Sequence, residues 1–393
     1  MSKRVYFDYS ATTPVSAEVL KVMEPYWSQT FGNPSSIHSF GQEARAGVEK
    51  ARDQVAEFLG CQSKEIIFTS GATEANNLGL RGLMKAVKDR GNTNFITTKI
   101  EHHCVGCVAL VLAKVGVTVD FVGVDKSGVV KVEDIQKAIK PETALISVMY
   151  VNNEVGTIQP IKEIGQMIKE ENKKRDEKHR IYFHVDAVQA ANYLPCQVDD
   201  LGVDLLALSA HKIYGPKGAG ALYIRQGTPM KAIQFGGDHE YKLRAGTLNA
   251  TGIVGLGAAV ELLKNNEEEN KRIKALRDKL IAGVREKIPD VIINGDLAKR
   301  VPSNAHLSFK GAEGESLLMM LDMEGIAVST GSACSASSLE PSHVIKAMGL
   351  GEEISHSSLR ITLGKYTTEE EIDYFLEKLP PIVEKLRKMS PIK

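Results

Sequence analysis

Before residue 258 the chain alternates short apolar runs with longer amphipathic stretches. The runs at 65–69, 94–98, 118–122, 144–149, 181–185, 204–208 and 219–224 are strand-length and apolar at successive positions. Most are separated by segments of helical period, and an earlier segment of that kind carries Val48, Ala51, Val55 and Leu59 on one face. Strands that are apolar throughout and interleaved with helices predict an α/β fold. Its sheet is mixed, seven-stranded and mainly parallel, covered on both faces, with its site at the carboxyl ends of the strands.

The pattern changes after Gly246-Thr247. Gly252, Gly255 and Gly257 lead into a long charged helix with Ile273, Leu276, Leu280, Val284 and Ile288 at helical spacing. Beyond it lie apolar segments at 305–309 and 359–363 and a helix from about Thr368. The division falls near residue 258, giving a large domain, 14–258, and a smaller α+β domain built from 1–13 and 259–393. Residues 1–13 read as an extended arm containing Asp8, and the charged run 169–180 as a solvated helix end and loop.

Composition narrows the class. Forty-nine basic residues balance forty-nine acidic ones among 393, so no overall field draws the protein to nucleic acid or an anionic membrane. Small anions must be bound locally. No apolar run approaches the roughly 18 residues of a membrane helix, and the first residues lack a signal-peptide core, so a cytoplasmic location is expected. Five cysteines at irregular spacings do not make a disulfide framework.

The candidate chemistry sits at the strand ends. Ser70-Gly71-Ala72-Thr73 opens a helix, whose free N–H groups and hydroxyls suit a phosphate. Glu101-His102-His103 offers an imidazole able to stack on an aromatic ring or move protons. The nearby Cys104 and Cys107 raise a metal reading, but no finger spacing matches and both read as core of an apolar helix. Asn152 and Asn153 offer amides, and Asp186, three residues before Gln189, needs a cationic partner such as a protonated pyridine nitrogen. Ser209, His211 and Lys212 end the next strand, before the glycine-rich 215–220, and a lysine held neutral there can form a Schiff base.

In order, DYSATTPV, FGNPSS, FTSGATEANN, EHH, VNNEVG, HVDAVQ, SAHKIYGPKG, RAGT and GSACSASSLEPSH cover nearly the whole chain. Through them the sequence resembles the fold-type I pyridoxal phosphate enzymes of the class V aminotransferase family, specifically the cysteine desulfurases of the NifS/IscS group. The resemblance implies that Lys212 carries pyridoxal 5'-phosphate, Asp186 pairs with its ring nitrogen, Gln189 meets its phenolic oxygen and His102 stacks on the ring. Thr73, Ser209 and His211 would bind the cofactor phosphate, with Thr247 supplied by the partner in a homodimer, and Ala72 and Asn153 would also bind the cofactor. Asn153 and Arg360 would orient the carboxylate of L-cysteine, helped by Asn33.

The resemblance makes Cys334 the residue that takes up sulfur as a persulfide, giving L-alanine. Its surroundings, Gly331 to Ser338, are small residues that predict a mobile loop over about 328–340. The sulfur acceptor implied is a scaffold protein for iron-sulfur clusters or another sulfur carrier. No resident metal is implied, although Cys334 could ligate a transient cluster with a scaffold. A selenocysteine lyase or another β-eliminating enzyme is the nearest rival, and a metal-binding subunit using His103, Cys104, Cys107 or Cys334 is the rival from another class. The chain departs from the common family pattern at Cys104, where a small apolar residue is usual.

Overall fold

The computed structural model describes residues 4–331 and 341–390. Strand β1 (Val5–Tyr6) lies in the amino-terminal arm. The seven apolar runs all form strands, within a residue of their expected bounds: β2 (Ile66–Thr69), β3 (Asn94–Thr98), β4 (Thr118–Val122), β5 (Thr143–Met149), β6 (Tyr182–Asp186), β7 (Leu205–Ser209) and β8 (Gly220–Ile224). They make one sheet in the order β2-β8-β7-β6-β5-β3-β4. Only β8 runs against its neighbours; the other pairings are parallel. The expected α/β class is thus observed.

Successive residues of each strand point to opposite faces. Phe68, Ile96, Ile146, Val185 and Leu206 enter a cluster with Val48, Val55 and Leu59 of the Ser39–Leu59 helix. Ile67, Phe95, Leu145, Leu205 and Leu222 enter another, with Leu78, Leu83, Val105 and Leu112. Two covered faces explain why the strands are apolar at every position.

The glycines at 252, 255 and 257 do not lead straight into the charged helix. They lie in a separate helix, Ala250–Leu263, and Glu267–Lys287 follows after a short break. A Cβ on Gly257 would come within 2.7 Å of Ala51 Cα, so glycine there lets two helix backbones touch. Residue 258 lies inside that helix, whose apolar side chains through Leu263 join the sheet's core. Val344, Ile345, Met348 and Ile354 pack with Ile100 and Met149, whereas Ile273, Leu276, Leu280, Leu307, Leu317 and Leu359 form another cluster with Val5 and Phe7. It covers the antiparallel strands β9 (Val291–Ile293), β10 (Asn304–Phe309) and β12 (Ser358–Thr362), while β1 pairs with β11 (Ile326–Ala327). The Glu369–Met389 helix closes this cluster with Ile372, Phe375 and Leu379.

One connection is backed by a buried ion pair. Glu240, Tyr241 and Lys242 have φ values of 43°, 54° and 67°, conformations that cost non-glycine residues about 1–3 kcal/mol each. Glu240 is turned inward, where both its oxygens meet Arg52, at 2.6 and 3.0 Å, and it accepts the Phe68 N–H of β2 at 2.6 Å. Arg52 also donates to the Ile66 carbonyl and lies over the Phe68 ring. Arg52→Met leaves the Glu240 carboxylate buried and unpaired, which destabilises by about 3–5 kcal/mol. Urea denaturation followed by circular dichroism reads this loss, and Arg52→Met with Glu240→Gln recovers part of it. Unfolding of Arg52→Met at the wild-type urea midpoint would mean that the pair does not hold the turn.

Candidate active site

Strand register fixes where the site forms. Met149 of β5 lies beside Asp186 of β6, Asp186 beside Ala207 of β7, and Ser209 of β7 beside Gly220 of β8, which in turn faces Thr69 of β2. The carboxyl ends therefore arrive in line, and the residues just after them surround one cavity of about 690 Å³. Its lining contains Ala72, Thr73, His102, Asn153, Asp186, Gln189, Ser209, His211, Lys212 and Arg360, ten positions singled out from the sequence.

One end of the cavity is the start of the Ala72–Val87 helix. Its first turn is led by Gly71, with no side-chain cap, so its N–H groups face the cavity end. A Cβ on Gly220 would lie 2.6 Å from Gly71 Cα, so glycine at the start of β8 lets the strand come close beneath the turn. Ser70 N–H donates to Glu74 at 2.6 Å, and Glu74 is paired with Arg244 at 2.8 Å. His211 adds an imidazole whose pKa is held down to about 4 by burial and by the charges of Lys212 and Lys217.

Asp186 is buried at the centre. Asn76 donates to its Oδ2 at 2.8 Å, and the Val188 N–H donates to Oδ1 at 3.1 Å. The amino-terminal arm crosses opposite. Lys212 Nζ donates to the carbonyls of Ser10 and Ala11 at 2.5 and 2.7 Å, and Gln189 donates to the Ser10 carbonyl at 3.0 Å. Thr13 N–H bonds the His211 carbonyl, and Tyr214 N–H donates to Thr13 Oγ1. Arg360, in β12, pairs with Asp8 at 2.9 Å and donates to the Asn153 carbonyl at 3.2 Å. Its Nε is buried and has no hydrogen-bond partner among the described residues.

This donor set fits a phosphorylated aromatic aldehyde. A helix start with hydroxyls suits the phosphate, Asp186 a cationic ring nitrogen, and Lys212 the carbonyl carbon.

Other expected residues lie elsewhere. Asn33 is exposed, its side chain accepting from Ser35 N–H at 3.0 Å, and does not line the cavity. Thr247 is exposed and outside this cavity. Cys334 and most of the expected loop, 328–340, lie outside the described residues. Asn152 does not face the cavity either; its buried amide donates to Ile100 and accepts from the N–H groups of Glu154 and Val155, holding the turn that presents Asn153. The apolar helix is His103–Lys114, and only one of its cysteines is core: Cys104 is buried and Cys107 exposed. Among the described residues, no three His, Cys, Asp or Glu side chains are grouped to hold a metal.

The motif reading missed Asn76, Asp8 and the arm carbonyls. Asn76 stands one helical turn after Ala72, a spacing that places it on the same helix face. A main-chain carbonyl leaves no such signal.

The aminotransferase class-V family profile matches residues 5–375. The chain is 49% identical over 394 residues to a protein of Dictyoglomus turgidum named cysteine desulfurase IscS, covering 100% of this chain and 98% of that one. It is 50% identical over 395 residues to a Clostridium botulinum protein of the same name, covering 100% and 97%. A solved structure described as a NifS-like protein superposes with a TM-score of 0.91 at 40% identity, covering 98% of this chain and all of that one.

Glu101, the residue before His102, is fully buried. It accepts from the Thr98 hydroxyl at 2.7 Å and the Met149 N–H at 3.0 Å, while its other oxygen has no partner among the described residues. Burial pushes its pKa up to about 8, and burial likewise raises Glu154 to about 7. Between the unfolded value near 4.5 and the folded value, the native state binds a proton that the unfolded chain has lost, so stability falls as pH rises through that window. Glu101→Gln keeps an acceptor oxygen and removes this titration. Thermal melts should fall less steeply from pH 5 to pH 8 in the variant than in the wild type; parallel curves would mean that Glu101 is ionised throughout.

Proposed function

The chain belongs to the aminotransferase class-V family, and from that premise we propose that its cavity converts L-cysteine to L-alanine as a pyridoxal phosphate-dependent cysteine desulfurase. The observation that carries this reading is the convergence of Thr73, His102, Asp186, Gln189, Ser209, His211, Lys212 and Arg360 on one cavity. A lysine, a buried carboxylate, an open helix start and an arginine are the four groups an amino-acid substrate and this cofactor need.

When bound, pyridoxal phosphate supplies an electrophilic carbon for an amine and a ring that accepts the electron pair left by loss of the Cα proton. Ala72, Thr73, Ser209 and His211 would hold its phosphate, and His102 its ring face. Asp186, with its own oxygens fixed by Asn76 and Val188, would keep a proton on the ring nitrogen. Gln189 would donate to the ring oxygen. The amine of Lys212 takes the substrate's Cα proton and returns it. Arg360 would take the substrate carboxylate, with Asn153 beside it in the cavity lining; Asn33, outside that lining, would help only from the neighbouring turn.

Sulfur transfer falls to Cys334, as in the family this chain resembles. Its thiolate attacks the substrate sulfur: an S–S bond forms, the Cβ–S bond breaks with its electron pair passing to carbon, and a proton added at Cβ completes alanine. His102 stands near enough to the cavity to hand on a proton. The persulfide then passes to an acceptor protein, for which an iron-sulfur cluster scaffold is the reading favoured by the name IscS of the relatives. Transient ligation of a cluster by Cys334 belongs to the same reading.

We assign a homodimer in which Thr247 reaches the partner's cofactor phosphate. Its support is the exposure of Thr247 together with large apolar side chains, Trp27, Phe31, Ile37, Phe40 and Phe235, that a monomer would leave in water. We assign a cytoplasmic location; among the described residues no helix is long and apolar enough to cross a membrane.

Mass spectrometry after L-cysteine treatment tests the reading: added sulfur is expected on Cys334, and sulfur on another cysteine would reassign the nucleophile. Cys334→Ser should keep the cofactor's visible band and form no persulfide. Lys212→Ala should lose turnover, and full turnover would overturn the proposal. Arg360→Ala should lower kcat/KM for cysteine about 10- to 100-fold, the loss expected for a charge-assisted hydrogen bond.

A further inference from the structure

In the cavity wall, four side chains that the reaction does not consume form a single hydrogen-bonded row, three of them lining the cavity and Asn76 lying beyond them. Asn76 Nδ2 lies 2.8 Å from Asp186 Oδ2 and 3.0 Å from Cys104 Sγ. The same sulfur lies 2.9 Å from His102 Nδ1 and 3.9 Å from Asp186 Oδ2. His102 is also the cap of the His103–Lys114 helix, its Nδ1 accepting the Cys104 backbone N–H at 3.2 Å.

These contacts fix the direction of each bond. The amide of Asn76 has two hydrogens; one serves Asp186 and the other points to sulfur, so the sulfur accepts from Asn76. A thiol then has one hydrogen to give, and the nearer acceptor is His102 Nδ1. A proton on Nδ1 would face the Cys104 N–H, donor against donor, which the cap contact excludes. Nδ1 therefore carries a lone pair engaged by two donors of the same residue, and the ring's proton sits on Nε2.

We propose that Cys104 is a positioning residue that holds His102 as the neutral Nε2–H tautomer and makes its Nδ1 a poor base. This rests on the reading that His102 covers the cofactor ring. It also restricts that reading: His102 can offer a hydrogen from Nε2, but it can take up a proton only by giving up the helix cap and the thiol. The bulk of Cα proton transfer then stays with Lys212.

The surroundings agree with this arrangement. Burial raises the Cys104 thiol well above its usual range, with Asp186 adding to the rise, so the sulfur keeps its hydrogen. Burial lowers the pKa of His102; Asp186 opposes this, while the charges of Lys212, His103 and Arg360 add to it.

Nitrogen-15 histidine-labelled full-length holoenzyme tests this through two-bond proton–nitrogen correlations, with His102→Gln identifying the His102 signals. The wild type should show a protonated Nε2 and a bare Nδ1 at pH 7. Cys104→Ser, which keeps a donor, should show the same pattern. Cys104→Ala keeps the backbone cap but loses the thiol, and the His102 midpoint should rise by about half to one pH unit. A protonated Nδ1 in the wild type, or a Cys104→Ala midpoint equal to the wild type's, would overturn the proposal. The spectra report the tautomer whether or not the protein makes alanine from cysteine, so failure here is distinct from failure of the desulfurase reading.

Discussion

A carboxylate taken out of water must be compensated where it stands, and Asp186 sets that condition for this molecule. It ends β6, near the middle of the sheet, where register brings Met149 and Ala207 alongside. Its two oxygens are met by a side chain from the Ala72–Val87 helix and by a backbone N–H two residues on. The helix that supplies Asn76 is also the one whose first turn forms one end of the cavity. Compensating the carboxylate and closing that end of the cavity with a helix start are therefore one placement, made by one helix across the carboxyl ends.

The amino-terminal arm does the corresponding work for the cations. Two main-chain carbonyls accept from Lys212 Nζ, one of them shared with Gln189, and Asp8 holds Arg360. Each of these donors is one that cofactor or substrate would engage in the proposed reaction. The arm itself is held by the second apolar cluster, through Val5 and Phe7. Packing of this core thus sets the resting position of Lys212 and Gln189, which rise from the other, and of Arg360, which stands on the same core as the arm.

Burial also decides which polar groups are chemically active. Glu101, Glu154 and His211 are all displaced from their ordinary pKa values, burial being the largest cause in each. Glu101 lies beside His102 in sequence yet points into the wall, bonded to Thr98 and Met149, whereas His102 faces the cavity. Such perturbed groups cluster where a site needs them, but Glu101 acts through the fold rather than on the substrate.

Much of this was legible in the chain. Continuous apolar runs alternating with helical periods predicted the seven strands, and Asp186, Lys212, His102 and Thr73 were singled out because they follow strand ends, which the structure gathers around one cavity. Periodicity alone read Cys104 and Cys107 alike, although burial separates them, and it ran the glycines at 252–257 into the next helix. Asn76, Asp8, the Ser10 and Ala11 carbonyls and the left-handed turn at 240–242 became visible only in three dimensions. The reason is physical: apolar period is a local property of the chain, whereas a hydrogen-bond partner is chosen by contacts between segments as far apart as Asp8 and Arg360. The sequence by itself determined the sheet and the chemical types at its edge; tertiary packing decided which of those groups meet, and in which protonation state.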